Sequence, residues 1–304
     1  MTAARPGIHY AIAILSGVSA NLLLGLSSLF WKALAKIPPT TLLGYRILLS
    51  LATLVVVMAA LGRLRGLRAR LSPRILAIHS AAAMLVVVNW GTFIWASIHG
   101  HVVESGLGYL IAPFVAIIAG AVAWGDKMTW LRLGALAVIV AAVLAMILRS
   151  GELNHCVYLV IGSTWGAYAC LKKITTLDAF GGLLCETVAL TAVLVLSLAT
   201  SATSMRLPPA LPNATLLTLA LCGAVSVLPL WLFSLAAARL PLSVMGFFQF
   251  VLPTTQLAVA LVFYRQPVST NTLLCFAIIW SALGLLISEP LLARIRRTRP
   301  GYPS

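Results

Sequence analysis

The chain has 304 residues, of which 61% are hydrophobic and only 9% are charged, and its formal net charge at pH 7 is +15. A soluble domain carries about 25% charged residues, so this composition excludes a soluble enzyme or nucleic-acid-binding protein and indicates a polytopic membrane protein. The apolar runs are long and continuous and lack the polar–apolar alternation of membrane barrels, which favours helices.

Ten apolar stretches follow one another along the chain and are joined by short connections. A spanning helix needs about 20 apolar residues, so we predict an all-α membrane protein with ten transmembrane helices. The first stretch is longer than the apolar region of a signal peptide, and we expect it to be retained. The predicted spans are 8–31, 41–61, 75–98, 102–123, 131–149, 154–171, 179–200, 214–238, 243–264 and 271–289.

The second half of the chain repeats the first about 140 residues later. The run VESGLGY at 103–109 corresponds to LSVMGF at 242–247, and each is followed shortly by a proline, Pro113 or Pro253. Five spans per half force the second half to enter the membrane in the opposite orientation, and inverted repeats place a substrate site near the midplane between two halves that rock. We therefore predict three units: a first five-helix repeat (8–150), a second (154–290) and a basic cytoplasmic tail (291–304).

Basic residues are spread unevenly over the predicted loops. If the N-terminus is cytoplasmic, 15 of the 21 Lys and Arg residues lie inside, five lie outside, and Arg46 lies within a span. Those five are Lys32, Lys36, Arg149, Arg206 and Arg265. This positive-inside bias predicts that both termini are cytoplasmic, and it explains the net charge without a nucleic-acid partner.

Charged residues within the predicted spans are candidates for function, because each costs about 3 kcal/mol at a helix centre. Arg46 lies about 9 Å below the outer face and Glu104 about 3 Å below it, a difference that an arginine side chain can bridge to form a pair. Glu186 occupies the position equivalent to Arg46 in the inverted half, so its expected partner is Arg239 near the inner face rather than Arg46. The alternative is that these are static pairs that fasten helices together.

Aromatic and amide side chains of the third, fourth, eighth and ninth spans are predicted to line the cavity between the two mouths. They form an apolar wall with a few donors and acceptors, which suits small amphipathic ligands. The alternative for the Trp and Tyr residues is a place in the core or in the interfacial belt. The substrate-binding candidates are Arg46, Asn89, Trp90, Trp95, Tyr109, Glu186, Trp231, Phe247 and Gln249.

Four residues are candidates for gating or hinge motion. Pro113 and Pro253 each remove a backbone hydrogen bond at matched positions, and matched interruptions in two halves point to a moving site. Glu104 and Arg239 stand at the two predicted mouths. The G-x-x-x-G pattern at 162–166 is predicted instead to let helices pack closely within the bundle.

Three stretches are specific enough to suggest a family: NWGTFIWA at 89–96, ESGLGYLIAPFV at 104–115 and ARLPLSVMGFFQFVLPT at 238–254. They resemble the RarD group, EamA-type members of the drug/metabolite transporter superfamily, over nearly the whole chain. The resemblance implies a ten-helix permease of the bacterial inner membrane, in a wider family that exports amino acids and other small metabolites. The chain departs from that pattern where related repeats carry Gly-Glu: it has Gly125-Asp126 in the first half and Arg265-Gln266-Pro267 in the second.

These features together predict a secondary transporter, not an enzyme, that moves small amphipathic metabolites or drugs across the bilayer by alternating access. The chain contains no ATP-binding motif, so uphill transport would use protons or a counter-substrate, and Glu186 is the best proton carrier available. The scattered cysteines and histidines predict neither a metal nor another cofactor. A membrane-embedded transferase or a lipid-linked substrate flippase is the alternative, and monomer and homodimer both stay open.

The predicted topology can be tested by cysteine labelling of Ser201→Cys and Arg68→Cys in a background without native cysteines. We expect an impermeant thiol reagent added outside intact cells to modify position 201 and spare position 68, because the charge bias places them on opposite faces. Permeabilised cells, in which both positions should react, provide the control. Labelling of position 68 alone in intact cells would show that the orientation is the opposite of the predicted one.

Overall fold

The structure is a computed structural model that describes residues 6–124, 128–149, 153–240, 245 and 248–298. Within these residues all regular structure is helical. The first half forms α1 (Pro6–Ala33), α2 (Pro39–Ala60), the short α3 (Leu64–Arg68), α4 (Pro73–His99), α5 (Val102–Trp124) and α6 (Trp130–Arg149). The second half forms α7 (His155–Ile174), α8 (Ala179–Ala199), α9 (Asn213–Ala220), α10 (Cys222–Ala237), α11 (Val251–Val259), a π-helical turn (Ala260–Tyr264) and α12 (Thr270–Thr298).

Several of these helices have the length and apolar composition needed to cross a bilayer. Five segments of the described chain qualify: Tyr10–Ala33, Pro39–Ala60, Pro73–His99, Ala179–Ala199 and Asn213–Ala237. Four shorter apolar helices accompany them: Val102–Val115, Leu133–Leu148, Val251–Tyr264 and Thr270–Ala282. These segments indicate a multi-pass membrane protein, whereas the count of ten spans stays a prediction.

Residues with known preferences for helix ends set the boundaries of α4 and α7. The hydroxyl of Ser72 caps α4 by accepting a hydrogen bond of 3.3 Å from the backbone N–H of Ile75. The side-chain oxygen of Asn154 caps α7 in the same way, 3.1 Å from the backbone nitrogen of Cys156. α4 ends before Gly100, whose φ of 82° lies in the left-handed region that glycine adopts without strain.

The helices of the two halves of the chain are interleaved. α1 lies against α10 and α11, and α7 lies against α4 and α5. α2 contacts α10 as well as α8, and α4 contacts α8 as well as α7. α5 also contacts α11, and α6 contacts α12. The centre of the bundle is therefore enclosed by helices from both halves.

α5 and α7 approach each other closely at glycines. A Cβ atom added to Gly162 would lie 2.9 Å from the carbonyl oxygen of Gly108, and one added to Gly166 would lie 2.8 Å from that of Ala112. Neither position has room for a side chain, so small residues allow the two backbones to come together. The prediction that the G-x-x-x-G pattern serves close packing within the bundle is confirmed.

The two prolines predicted as hinges affect their helices differently. α5 continues through Pro113, which lies inside it. α11 begins only at Val251, and Gln249 and Phe250 form a turn before it. Pro253 has no N–H to bond the carbonyl of Gln249 four residues earlier, so the interruption falls where this proline removes a hydrogen bond. Of the matched pair, Pro253 is therefore the one that interrupts helical structure in the part of the chain that is described.

The close approach of α5 and α7 predicts a position-dependent effect of adding one methyl group. Gly162→Ala should lower the free energy of unfolding by about 1–3 kcal/mol, because the methyl group would overlap the backbone of α5. Gly134→Ala is the matched control, since that glycine of α6 has no neighbouring atom within 4 Å of an added Cβ. It should be neutral or stabilising by up to about 1 kcal/mol. Thermal unfolding in detergent measures both, and equal melting temperatures would contradict the close contact.

Candidate functional site

Arg46 is an arginine buried in the centre of the bundle and only 3% exposed. Its guanidinium carbon lies 3.7 Å from the ring centroid of Trp90 on α4 and 4.7 Å from that of Trp31 on α1. Each indole face attracts the cation, and such contacts stabilise a desolvated pair by about 2 kcal/mol. Its Nε and Nη1 atoms are buried and have no hydrogen-bond partner among the residues that the structure describes.

The predicted pair of Arg46 with Glu104 is wrong. Glu104 lies at the start of α5, where its Oε1 is 2.8 Å from Nδ1 of His101. Its Oε2 accepts a hydrogen bond of 3.2 Å from the side-chain amide of Gln266, whose own oxygen accepts one from the backbone N–H of Val103. The acid thus joins α5 to the segment that follows the π-helical turn. Depth in the membrane allowed the pair with Arg46, but nearer partners satisfy the carboxylate.

Asn89 and Tyr109 lie close to this arginine, and a hydrogen bond joins them. The hydroxyl of Tyr109 donates to Oδ1 of Asn89 over 2.9 Å. The Asn89 amide in turn donates to the carbonyl oxygen of Ile161 at 3.2 Å and to the hydroxyl of Thr164 at 3.0 Å. α4, α5 and α7 are therefore held together by one buried amide, whose hydrogen bonds are all made within the protein.

A continuous group of aromatic rings extends from Tyr109 across the bundle. We name Tyr109, Trp165 and Phe233 the aromatic layer. The Trp165 ring lies 5.8 Å from Tyr109 in an edge-to-face arrangement and 5.4 Å from Phe233 of α10. Nε1 of Trp165 is buried without a hydrogen-bond partner in the described part of the chain. The layer thus presents an apolar surface with one unused donor.

Gln249 lies beyond Phe233, and both polar atoms of its amide are buried without partners among the described residues. It borders a cavity of about 10 Å³ that it shares with Phe233, Lys173 and Ala237. A space of this size barely holds one water molecule. Lys173 and Ala237 also border a larger cavity of about 310 Å³ at the ends of α7 and α10. The narrow space at Gln249 therefore separates the aromatic layer from an accessible cavity.

Glu186 forms a buried polar cluster with three side chains. Its Oε1 lies 2.5 Å from Nζ of Lys172 and 2.8 Å from Nδ1 of His79. Its Oε2 accepts a hydrogen bond of 3.1 Å from the hydroxyl of Tyr168. The other ring nitrogen of His79 lies 2.7 Å from the hydroxyl of Thr175. Every member of the cluster is thus satisfied, and the charges of Lys172 and Glu186 cancel.

The predicted pair of Glu186 with Arg239 is also wrong. Arg239 is exposed beyond the end of α10, whereas Lys172 lies two residues before the end of α7 with its side chain only 5% exposed. α7 and α8 are joined by a short connection, so Lys172 lies close to the start of α8, and its long side chain spans the difference in depth to Glu186. That spacing could have indicated Lys172, but His79 of α4 carried no signal of proximity in the sequence.

The remaining candidates lie apart from these groups. Trp95 stacks between the imidazoles of His99 and His101, with ring centroids 4.5 Å and 5.2 Å away. Trp231 stacks on Phe180 of α8 at 5.2 Å. The ninth candidate, Phe247, and the Gly125-Asp126 pair fall outside the described residues. The structure thus brings Arg46, Trp90, Asn89 and Tyr109 together, with Gln249 across the aromatic layer.

Sequence reasoning missed Trp31 and Trp165 as neighbours of these candidates. Both are almost completely buried, and both have an unpaired indole nitrogen among the described residues. Trp31 directly precedes Lys32 near the end of α1, a position that is also typical of the interfacial belt. Trp165 lies within the G-x-x-x-G pattern, which drew attention to its glycines instead.

Comparison with known proteins shows similarity over most of the chain. No protein-family model matches the chain. The uncharacterized transporter YojE of Bacillus subtilis is 33% identical over 270 residues, which are 86% of this chain and 88% of that protein. Protein RarD of Streptomyces exfoliatus is 31% identical over 94% of this chain and 91% of its own length, and protein RarD of Salmonella typhi is 30% identical over 91% and 94%. A solved crystal structure with 17% sequence identity has the same fold, with a TM-score of 0.63 over 90% of this chain and 97% of that one.

The buried cluster predicts that Glu186→Gln lowers the free energy of unfolding by about 3 kcal/mol or more, because Lys172 would keep its charge without a partner. The double variant Lys172→Met/Glu186→Gln should recover part of this loss, since it removes both charges. Arg239→Gln is the control and should leave stability unchanged. Thermal unfolding of the purified protein in detergent measures all three. If Arg239→Gln destabilised as much as Glu186→Gln, the pairing described here would be contradicted.

Proposed function

Because this chain belongs to the RarD-type family of membrane transporters, we propose that it is a secondary active transporter that exports small amphipathic solutes by alternating access. It resides in the inner membrane of a bacterium with both termini in the cytoplasm. The names of the three relatives described above support transport across a membrane and specify no solute. The choice of solute class therefore rests on the side chains along the path.

The observation that carries the proposal is the set of buried polar atoms without partners among the described residues. It includes the Nε and Nη1 atoms of Arg46, the indole nitrogen of Trp165 and both amide atoms of Gln249. Leaving a buried polar group unsatisfied costs about 1–3 kcal/mol, and native proteins contain few such groups. A static core has no reason to keep them, whereas a path that admits solute and water gives them partners during transport.

The pairing of helices supports two inverted repeats, 8–150 and 154–290. α1 is the first helix of the first repeat, and it lies against α10 and α11. Its counterpart in the second repeat is α7, which lies against α4 and α5, the counterparts of α10 and α11. α2 contacts α10 as its counterpart α8 contacts α4. An exchange of the two halves leaves this set of contacts unchanged, which is the arrangement expected when two repeats enclose one central site.

Contacts at the two ends support a state that is closed toward the outside. The hydroxyl of Tyr264 lies 3.0 Å from the carbonyl oxygens of Ser28 and Ser97, and so joins the π-helical turn to α1 and α4. The hydrogen bond of Glu104 with Gln266 closes the same end. The cavity of about 310 Å³ lies at the opposite, predicted cytoplasmic end. The interruption before Pro253 gives α11 a point at which to bend during the change of access.

The cluster around Glu186 is our proposed site of coupling. Its carboxylate, the His79 imidazole and the Lys172 ammonium share hydrogen bonds next to the cytoplasmic cavity, which Lys172 also lines. A proton taken up by this cluster would change its net charge and weaken its internal pairing, because the attraction depends on one positive and one negative charge. Exchange against a counter-substrate is the alternative source of driving force.

The proposal is tested by an untargeted comparison of the medium of cells that do and do not produce the protein. We expect specific amphipathic solutes to accumulate outside the producing cells. Trp90→Ala and Gln249→Ala should reduce this accumulation about tenfold, equivalent to about 1.4 kcal/mol of lost recognition, at equal abundance in the membrane. Trp130→Ala is the matched control, because that indole is 89% exposed on α6.

The outcomes separate transport from a structural role of these residues. If Trp90→Ala and Gln249→Ala both abolish the folded protein, they belong to a static core and the proposed path loses its support. If no solute in the medium is more or less abundant when the cells produce the protein, transport itself is contradicted.

A further inference from the structure

We propose that Arg46, which contacts Trp31 and Trp90, binds the carboxylate of a monoanionic substrate whose apolar part lies on the aromatic layer. This inference rests on the proposed function, since it assigns the chemical class of the transported solute. Its basis is a cation in the centre of the bundle that has neither a counter-charge nor a full set of hydrogen bonds within the described residues.

The donors of Arg46 that lack an acceptor indicate what kind of ligand group would bind there. Nε carries one N–H and Nη1 carries two, so three donors are unused. Ser50 follows Arg46 by one helical turn on the same face of α2, and its hydroxyl is also buried and unpaired among the described residues. The indole nitrogen of Trp31, which lies against the guanidinium, is a further donor in the same state. A group that accepts several hydrogen bonds at once would satisfy this set.

The two indoles restrict how such a group can approach. Their ring centroids lie 3.7 Å and 4.7 Å from the central carbon of the guanidinium, so the indoles occupy space beside the cation that a ligand cannot use. The N–H bonds lie in the plane of the guanidinium, and a planar carboxylate meets them edge to edge with two acceptors. A flat anion that accepts these bonds would therefore suit the donors that the indoles leave unpaired.

Charge balance favours a single negative charge. The buried ammonium of Lys172 is already neutralised by Glu186, and the other buried acid, Glu104, is bound to His101 and Gln266. Among the described residues, no carboxylate lies within ion-pair distance of Arg46. A carboxylate would neutralise its one charge, whereas a phosphate monoester, with a charge of about −1.5 to −2 at neutral pH, would leave a negative excess in a site of low dielectric.

The aromatic layer accounts for the other part of the substrate. Tyr109 belongs to it and is joined through its hydroxyl to Asn89, which directly precedes Trp90. Trp165 and Phe233 continue the surface toward Gln249. An apolar or aromatic group attached to the carboxylate would rest on these rings, and the amide of Gln249 stands at its far end. The solute is thus an amphipathic acid with its charge at the Arg46 end.

A purely structural role for Arg46 is the competing explanation, and stability separates the two. As a fastener, Arg46 would stabilise the fold through its contacts with the two indoles. As a binding residue, Arg46 has unsatisfied donors when no ligand is bound. An apolar side chain of similar length should then give a more stable ligand-free protein. Arg46→Met should therefore raise the melting temperature of the ligand-free protein by about 3 °C or more. Arg206→Met, at an exposed arginine outside the bundle, is the control and should change nothing.

The second measurement uses probes on the purified full-length protein in detergent. Phenylacetate and indole-3-acetate represent the proposed class, and phenylacetamide is the neutral analogue. Phenyl phosphate tests whether a phosphate monoester binds in place of the carboxylate. A carboxylate present at ten times its Kd should raise the melting temperature by about 3 °C, and Arg46→Met should abolish the shift. The amide should give none, and phenyl phosphate a smaller one.

Three results would overturn the inference. They are a lower melting temperature for Arg46→Met than for the parent, an equal or larger shift with phenylacetamide or phenyl phosphate, and carboxylate shifts that are absent or persist in Arg46→Met. Binding in detergent does not depend on flux, so a carboxylate that binds through Arg46 but is not transported would contradict the proposed function alone. Export of neutral solutes that is unaffected by Arg46→Met would contradict this inference alone.

Discussion

An arginine cannot readily give up its charge inside a protein, and this constraint organises the centre of the bundle. Arg46 brings a permanent cation to a position from which water is excluded, and two indoles from α1 and α4 are the groups that meet it. Their flat faces stabilise the charge but accept none of its in-plane hydrogen bonds. The need for a further acceptor therefore persists in the folded protein, and the surrounding aromatic rings define the shape of what can provide it.

The two proposed repeats carry different chemistry at matched positions. Arg46 and Glu186 are matched positions of the two proposed repeats, 140 residues apart. Glu186 is surrounded by His79, Lys172 and Tyr168 and is neutralised locally, whereas Arg46 is surrounded by rings and is not. A symmetric pair of sites would hold solute equally well on both sides of the midplane. The asymmetry is the basis on which we propose anion binding at Arg46 and proton coupling at Glu186.

Hydropathy was enough to predict the helices and the all-α class, because a bilayer permits few alternatives to an apolar helix. The expected depths of the spans also placed Asn89, Trp90 and Tyr109 in one cavity lining, whereas Arg46 was expected nearer the outer mouth. Hydropathy failed for the ion pairs, where depth along the membrane normal was the coordinate available. Partners also depend on how each helix is rotated about its own axis, and that rotation is set by packing against neighbours such as the glycine contact of α5 with α7. His79 and Gln266 became visible as partners only when those rotations were known.

The interleaving of helices has a consequence for how the protein is made. α1 leaves the ribosome first, yet the helices that cover it, α10 and α11, follow about 190 residues later. At a synthesis rate of about 5–20 residues per second, α1 waits for roughly ten seconds or longer before these two helices exist. Throughout that time the face of α1 that α10 and α11 cover must be sheltered by lipid, by the insertion machinery or by a provisional neighbour. The nascent chain thus passes through a prolonged half-assembled stage in which chaperoning within the membrane has most to offer.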